Sequence, residues 1–539
     1  MKKLESAALT LALAFMAGCG GEADGQTIDD DSGSQTASSD SDSSVIVDPQ
    51  SVDTQELKDA VSDSRVREFY EGRDWKPAWT QDAAASIVPA LRGAGRHGLD
   101  PADYIGPVRN AEGATAREAA LTGAAIDLAD ALGEGKADPG ELFSVYTLPR
   151  PEFDLVAGLS GALGKGNVGE WIESLAPSDA EYRALSQAYV KYAKLAAQGD
   201  ESTIEDGDLI KVGESDPRVP QIARLLRNQD YLSDQNGTQG NQSDRQSDRQ
   251  SDPQSEPNRY TERMAKAVEK IQSDFGISDD GVIGPETLKV LNIGPSERAR
   301  LLAINLERRR WIERNPPPTR IDVNIADAVL DYYEDGERAD RRPVVVGQPG
   351  WETPQLGSAM YRLVANPTWT VPKSIEEEEI APRGPGYLQR NNMVRRDGWI
   401  VQLPGPENAL GEVKFDMRND QAIYLHDTPA TSLFDRTQRH LSHGCIRVEN
   451  ALQFARMIAR EQGIMSDYGE AQASGSETFV DLPDNIPVRL LYQTAFLDPS
   501  GDVHFRTDPY GWDERVAEAL GYEPRQSARL DTHISDVGP

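Results

Sequence analysis

Apolar positions recur at helical spacing through the first third of the chain. Leu57, Val61, Val66, Phe69 and Tyr70 share one helical stripe, and Trp75, Trp79, Leu91, Leu99 and Tyr104 supply further core residues. Leu99-Asp100-Pro101 predicts a turn into a helix, and the Ala-rich stretches 111–132 and 178–197 predict longer helices. The period changes beyond Pro318. Ile321-Asp322-Val323-Asn324-Ile325 alternates with period two, and short apolar runs at Val344–Val346, Tyr361–Val364, Ile423–Leu425 and Val488–Tyr492 predict further strands. Between them, 374–399 is polar, contains Gly and Pro and opens on Glu376–Glu379, the pattern of a lid over a cleft. A helix over about 299–312 (Leu301, Leu302, Ile304, Leu306, Trp311) bridges the two regimes.

Two segments carry no apolar period. Residues 20–50 are rich in Asp, Ser and Gly and read as a flexible tether. Residues 233–258 repeat SDRQ and read as a disordered loop. Closure cost grows only logarithmically with loop length, so such a loop can interrupt a folded module.

Composition narrows the function. The 539 residues carry a formal charge of −33, which repels nucleic acid phosphates and disfavours a nucleic-acid partner. Two cysteines, Cys19 and Cys445, allow one disulfide at most and no Cys-rich zinc site. Lys2 and Lys3 precede an apolar run from Ala7 to Gly18, too short to span a bilayer and suited to a signal peptide. Met16-Ala17-Gly18-Cys19 resembles the bacterial lipobox, which implies a lipidated Cys19 as membrane anchor and a periplasmic location. Gly20 in place of Asp then favours the outer membrane by the same analogy. With Cys19 acylated, Cys445 is the one free thiol of an exported chain and therefore a candidate reactive group.

The interrupted module has its own signature. Ile222, Leu225 and Leu226 precede the loop, and Ala267, Val268, Ile271 and Phe275 follow it at helical spacing. Gln272, Gly276-Ile277, Asp280-Gly281, Gly284 and Thr287 then resemble the motif of the three-helix peptidoglycan-binding domain. That likeness implies a glycan-strand contact through 211–297.

The chemistry concentrates between 408 and 449. Three of the six histidines, His426, His440 and His443, lie just before Cys445. A thiol of ordinary pKa is only a few per cent ionised at neutral pH, so a neighbouring imidazole has a proton to take and later return. Gly444 allows a tight turn whose amides can meet an oxyanion, and Arg447 offers a bidentate cation for a carboxylate. Three His and a Cys could also hold a transition metal, but the paired spacings of common zinc sites are absent. His97 stands alone and reads as structural, and His440 reads as a surface or loop residue.

This segment resembles the L,D-transpeptidase catalytic domain. His426 is followed after 15 residues by Ser442-His443-Gly444-Cys445-Ile446-Arg447, the family's spacing. Asn366-Pro367-Thr368-Trp369-Thr370-Val371-Pro372, Asn408-Ala409-Leu410-Gly411 with Lys414-Phe415, and Tyr424-Leu425-His426 match the large subtype, which has a helical scaffold and a peptidoglycan-binding domain. The resemblance implies Cys445 as nucleophile, His426 as general base, the His443, Gly444 and Cys445 amides as oxyanion donors, and substrate contacts at Arg447, Ser442, Tyr424, Trp369 and Asn408. Plain core packing is the alternative for Tyr424 and Trp369. It implies 3→3 cross-linking of tetrapeptide stems through a thioester, with no cofactor and no metal. L,D-carboxypeptidase, lipoprotein–peptidoglycan ligase and a non-catalytic wall-binding lipoprotein are the alternatives. The expected chain is an α+β multidomain protein: signal peptide 1–18, tether 19–51, helical scaffold 52–210, peptidoglycan-binding module 211–297, mostly-β catalytic domain 298–520 with a cap at about 374–400, and a flexible tail 521–539.

Overall fold

The computed structural model describes residues 47–199, 203–233, 258–525 and Gly538. Cys19, the signal segment, nearly all of the tether and of the 233–258 insertion, and the tail beyond 525 apart from Gly538 lie outside the described residues. No helix among the described residues is long and apolar enough to cross a membrane.

The first region is helical, as its apolar period implies. Its central helix, Gly113–Gly133, buries Leu121, Ala125, Ile126, Leu128 and Leu132, and small Ala side chains let neighbouring helices approach on several sides. Side-chain oxygens of Asp53, Asp63, Thr80, Asp154 and Asp179 cap the flanking helices by accepting first-turn N–H groups. His97 is buried against the Tyr182 hydroxyl (3.0 Å) and Glu173 (3.2 Å), which makes it a packing residue here.

The second module contains the helices Val219–Asn228, Glu262–Asp274 and Pro285–Leu291. Gln272 organises its turn from within. Its amide nitrogen donates to the Val282 carbonyl (3.0 Å) and the Thr287 hydroxyl (2.9 Å), and its oxygen accepts from Gly281 N–H (2.9 Å). The helix Ala180–Ala196 falls inside the stretch read as scaffold, yet Tyr182, Leu185 and Tyr192 join the apolar core of this module.

The helix Pro295–Arg310 is the spine between the regions. Ala303 and Ile304 enter the core shared by the first helical region and the last, sheet-containing region, while Leu302 and Leu306 enter that of the second module. Buried on all sides, it satisfies its charges internally: Arg310 pairs with Glu307 and Arg308 with Asp513. Gly98, at φ 73°, lies so close to the spine that a Cβ would stand 2.8 Å from Ala303 Cα, so a side chain there would push the two apart.

The last region is a mixed nine-stranded sheet with a cap. Its strands are β1 (Arg320–Asn324), β2 (Val329–Glu334), β3 (Glu337–Gly347), β4 (Gly357–Ala365), then the cap's β5 (Trp369–Thr370), β6 (Met393–Arg396) and β7 (Trp399–Gln402). β8 (Val413–Met417), β9 (Leu425–His426), β10 (His440–Ser442), β11 (Ile446–Val448) and β12 (Thr478–Leu491) follow. The order β10-β3-β11-β9-β8-β4-β12-β1-β2, with β2 also paired to β3, turns the sheet back on itself. The helices Ala451–Glu461 and Met465–Ala473 add α structure to a domain expected to be mostly β. The cap is wider than 374–400. It pairs β5-β7-β6 and packs Trp369, Val371, Ile375, Ile380, Met393 and Ile400 into a core of its own.

Candidate active site

Strand pairing brings the chemistry together. β11 runs parallel to β9 with Ile446 opposite Leu425 and Arg447 opposite His426, so Cys445 enters beside Tyr424. Cys445 is 6% exposed and lies under the cap. Its thiol donates weakly to the Ala422 carbonyl at 3.8 Å, with the Tyr424 side chain near enough to bear on its ionisation. Burial pushes the thiol up to about 11, against the pull of Tyr424, Lys414 and Arg447.

His426 is fully buried. Its Nδ1 lies 2.6 Å from the Asp427 carbonyl; a carbonyl only accepts, so Nδ1 carries the proton and Nε2 is the basic atom. Among the described residues Nε2 is buried without a hydrogen bond, so the resting thiol does not donate to it and the nitrogen is left available as a base. Burial, then the Arg447 and Lys414 charges, hold the imidazole down to about 3, so it is neutral throughout the physiological range.

The turn 442–445 is braced from beneath. The Ser442 hydroxyl donates to the Cys445 carbonyl (2.6 Å) and accepts the Gly444 N–H (3.2 Å), while Thr353 Oγ1 donates to the Gly444 carbonyl (2.8 Å). Gly444 sits at φ 109°, which requires glycine. Two expectations change accordingly. The Gly444 amide is engaged by Ser442 and does not face a substrate, whereas no hydrogen bond among the described residues takes the His443 or Cys445 amide. Ser442 is fully buried and shapes the turn rather than lining the groove.

Other residues separate in the same way. Asn408 is buried, and its Nδ2 donates to the backbone carbonyls of Pro367 (3.1 Å) and Leu403 (3.0 Å), tying the cap's two ends together. Trp369 is in the cap core, 1% exposed. Arg447 lines a groove of about 240 Å³ with Arg383, Tyr387, Gln402, Ala409 and Thr428, between cap and sheet. His440 is no surface residue: it lies buried in β10, with Nε2 on the Ile325 carbonyl at 2.9 Å, and burial takes it down to about 4.

Three neighbours carried no role in the sequence reading. Glu379 of the cap meets His443 Nε2 at 2.6 Å and fastens the cap to the turn 442–445. The Gly538 carbonyl sits 2.6 Å from His443 Nδ1 and so occupies the mouth of the site. Lys414 on β8 stands directly opposite His426 on β9. Their only sequence signals were an acidic run and a lysine within a matched motif, and neither told what faces them.

The raised thiol makes a testable demand. Alkylation of Cys445 by iodoacetamide should be about a hundredfold slower at pH 7 than that of an unperturbed thiol and should keep rising about tenfold per unit beyond pH 9. Peptide mass spectrometry locates the label, and a plateau near pH 8.5 would contradict the burial argument.

Three segments of the chain match models of known domains. Residues 318–471 match the model of the L,D-transpeptidase catalytic domain, 64–189 that of a scaffold domain and 215–291 that of a peptidoglycan binding domain. A Haemophilus influenzae protein described as an L,D-transpeptidase is 32% identical over 239 residues, 40% of this chain and 48% of that protein. The chain thus spans about half the length of that relative. Among solved structures, an L,D-transpeptidase from Stackebrandtia nassauensis is 15% identical over 54% of this chain and 96% of its own, with a TM-score of 0.22. One from Mycobacterium smegmatis is 15% identical over 32% of this chain and 58% of its own, with a TM-score of 0.20. Overlaps this slight carry no argument about the fold. Residues 318–471 are thus similar to the L,D-transpeptidase catalytic domain, and they follow segments similar to a scaffold domain and a peptidoglycan binding domain.

Proposed function

We propose that the protein is an exported, lipid-anchored L,D-transpeptidase that forms 3→3 cross-links in peptidoglycan. The observation that supports this most is the meeting of Cys445, Tyr424 and a His426 with a free Nε2 on neighbouring strands beneath a cap. His426 Nε2 takes the thiol proton as sulfur attacks the carbonyl between the third residue of a tetrapeptide stem and D-Ala. The Cys445 and His443 amides meet the developing oxyanion. The proton passes to the departing D-Ala nitrogen, the peptide bond breaks and a thioester remains. A side-chain amine of a second stem then attacks the thioester carbonyl and returns the thiol. The bond energy is kept in the thioester, so no nucleotide is consumed. Arg447 orients the donor stem in the groove, the 211–297 module holds the glycan strand, and lipid on Cys19 fixes the enzyme to the outer membrane. Carbapenems would acylate Cys445 through the same attack.

Mass spectrometry of the protein incubated with disaccharide-tetrapeptide tests this. A dimer of twice the monomer mass less one D-Ala is expected, absent with Cys445→Ala. Tripeptide monomer alone would make water the acceptor. No product together with no acyl-enzyme at Cys445 would refute the reading.

A further inference from the structure

We propose that Lys414 is a positioning residue for the Cys445 chemistry: its ammonium, held over the Tyr424 ring, polarises the phenol that flanks the sulfur and so favours negative charge on the sulfur. Lys414 Nζ lies 4.2 Å from the Tyr424 ring centroid. A cation over a phenol ring draws electron density from it, which strengthens the hydroxyl as a donor. Tyr424 in turn flanks Cys445 across the pairing of β9 with β11, and the phenol and the thiol bear on each other's ionisation.

Register makes the arrangement specific. Lys414 and His426 are direct cross-strand partners, so both side chains leave the sheet on one face, where the Tyr424 ring stands 5.7 Å from His426. A simple surface ion pair is the competing reading, because Lys414 also meets Asp416 at 2.7 Å. Asp416, however, already has a cation in Arg362, whose Nε lies 2.6 Å away. Lys414 is therefore not needed to neutralise Asp416, and its charge is left to act on the site.

Among the described residues, the titratable and charged groups bearing on the sulfur are Tyr424 just before β9, Lys414 from β8 and Arg447 from β11, while His426 pairs with Arg447 across β9 and β11. Asp416 bears on Tyr424, while Arg447 and Lys414 both bear on His426. The Glu379–His443 pair closes the cap side. Lys414 and Arg447 are the cations acting on the thiol, and Lys414 is the one that also touches Tyr424.

The inference rests on the nucleophile assigned above, so its test reads the thiol alone. Full-length protein, Lys414→Met and Lys414→Arg are alkylated with iodoacetamide from pH 7 to 10, and the label on Cys445 is quantified by peptide mass spectrometry. Lys414→Met should displace the whole profile upward by about one pH unit, about a tenfold loss of rate at any pH on the rising limb. Lys414→Arg should recover most of it, and in a Tyr424→Phe background Lys414→Met should change the rate less than about twofold. A lysine that merely pairs with Asp416 would leave the profile in place. No displacement, or a full displacement without the Tyr424 hydroxyl, overturns the proposal. A displacement in a protein that forms no cross-link upholds Lys414 and counts against the transpeptidase reading instead.

Discussion

Replacing His426 by Gln is expected to lower cross-linking turnover by about 10²–10⁴-fold, the usual cost of losing a positioned general base. Gln keeps a polar group of similar reach but has no basic nitrogen. The ring's tautomer is set by the Asp427 carbonyl at 2.6 Å, and among the described residues its Nε2 has no hydrogen-bond partner to compete for the thiol proton. Because burial depresses the imidazole to about 3, it stays neutral as pH falls from 7 to 4, so any loss of activity over that range is not its protonation. The thiol moves the other way, and its burial makes an intrinsic thiolate scarce at neutral pH. Catalysis then depends on transfer during attack, so the variant should lose turnover while its alkylation at pH 10 stays near that of the parent. Single-turnover formation of the acyl-enzyme measures the first and labelling the second. Turnover within a few-fold of the parent would remove His426 from the mechanism.

The second large effect lies far from the thiol. Glu307→Ala should destabilise the folded chain by about 3–5 kcal/mol, read as a lower midpoint in denaturant unfolding. Glu307 and Arg310 are both fully buried on the spine helix. Glu307 accepts from Arg310, from Trp311 Nε1 (3.1 Å) and from the Ala137 amide (2.8 Å) of the scaffold. Arg310 also donates to the His97 carbonyl (2.8 Å) and the Tyr182 hydroxyl (3.1 Å). Without the carboxylate, a desolvated guanidinium loses its counter-charge while still enclosed. Removing the cation as well, in Glu307→Ala/Arg310→Met, should recover part of the loss, because an apolar pair leaves no buried charge behind. A loss below about 1 kcal/mol in the single variant would show that water reaches the pair.

Several features could be read directly from the chain. The 15-residue interval between His426 and Ser442-His443-Gly444-Cys445 marks the candidate nucleophile and base, since a strand end and a tight turn need particular residue types at set distances. Gln272, Gly281 and Thr287 are near in sequence and form one local hydrogen-bond network, so their motif announces the module. Alternation at 321–325 located β1 to within a residue. His440 went the other way: its text is polar and loop-like, but β10 is drawn against β3, almost a hundred residues earlier, and the ring is buried there.

Local periodicity and motif spacing therefore named the elements, the thiol and the imidazole, because each depends on residues within a few turns or one loop of chain. Which groups surround them depends on strand register and on contacts between distant segments. The pairing of β8 with β9 sets Lys414 against Tyr424 and His426. The fold of the cap carries Glu379 to His443, across more than sixty residues. The brace beneath the turn engages the Gly444 amide with the Ser442 hydroxyl. The protonation of the pair follows from burial, which arises only when the cap and the sheet close over both side chains.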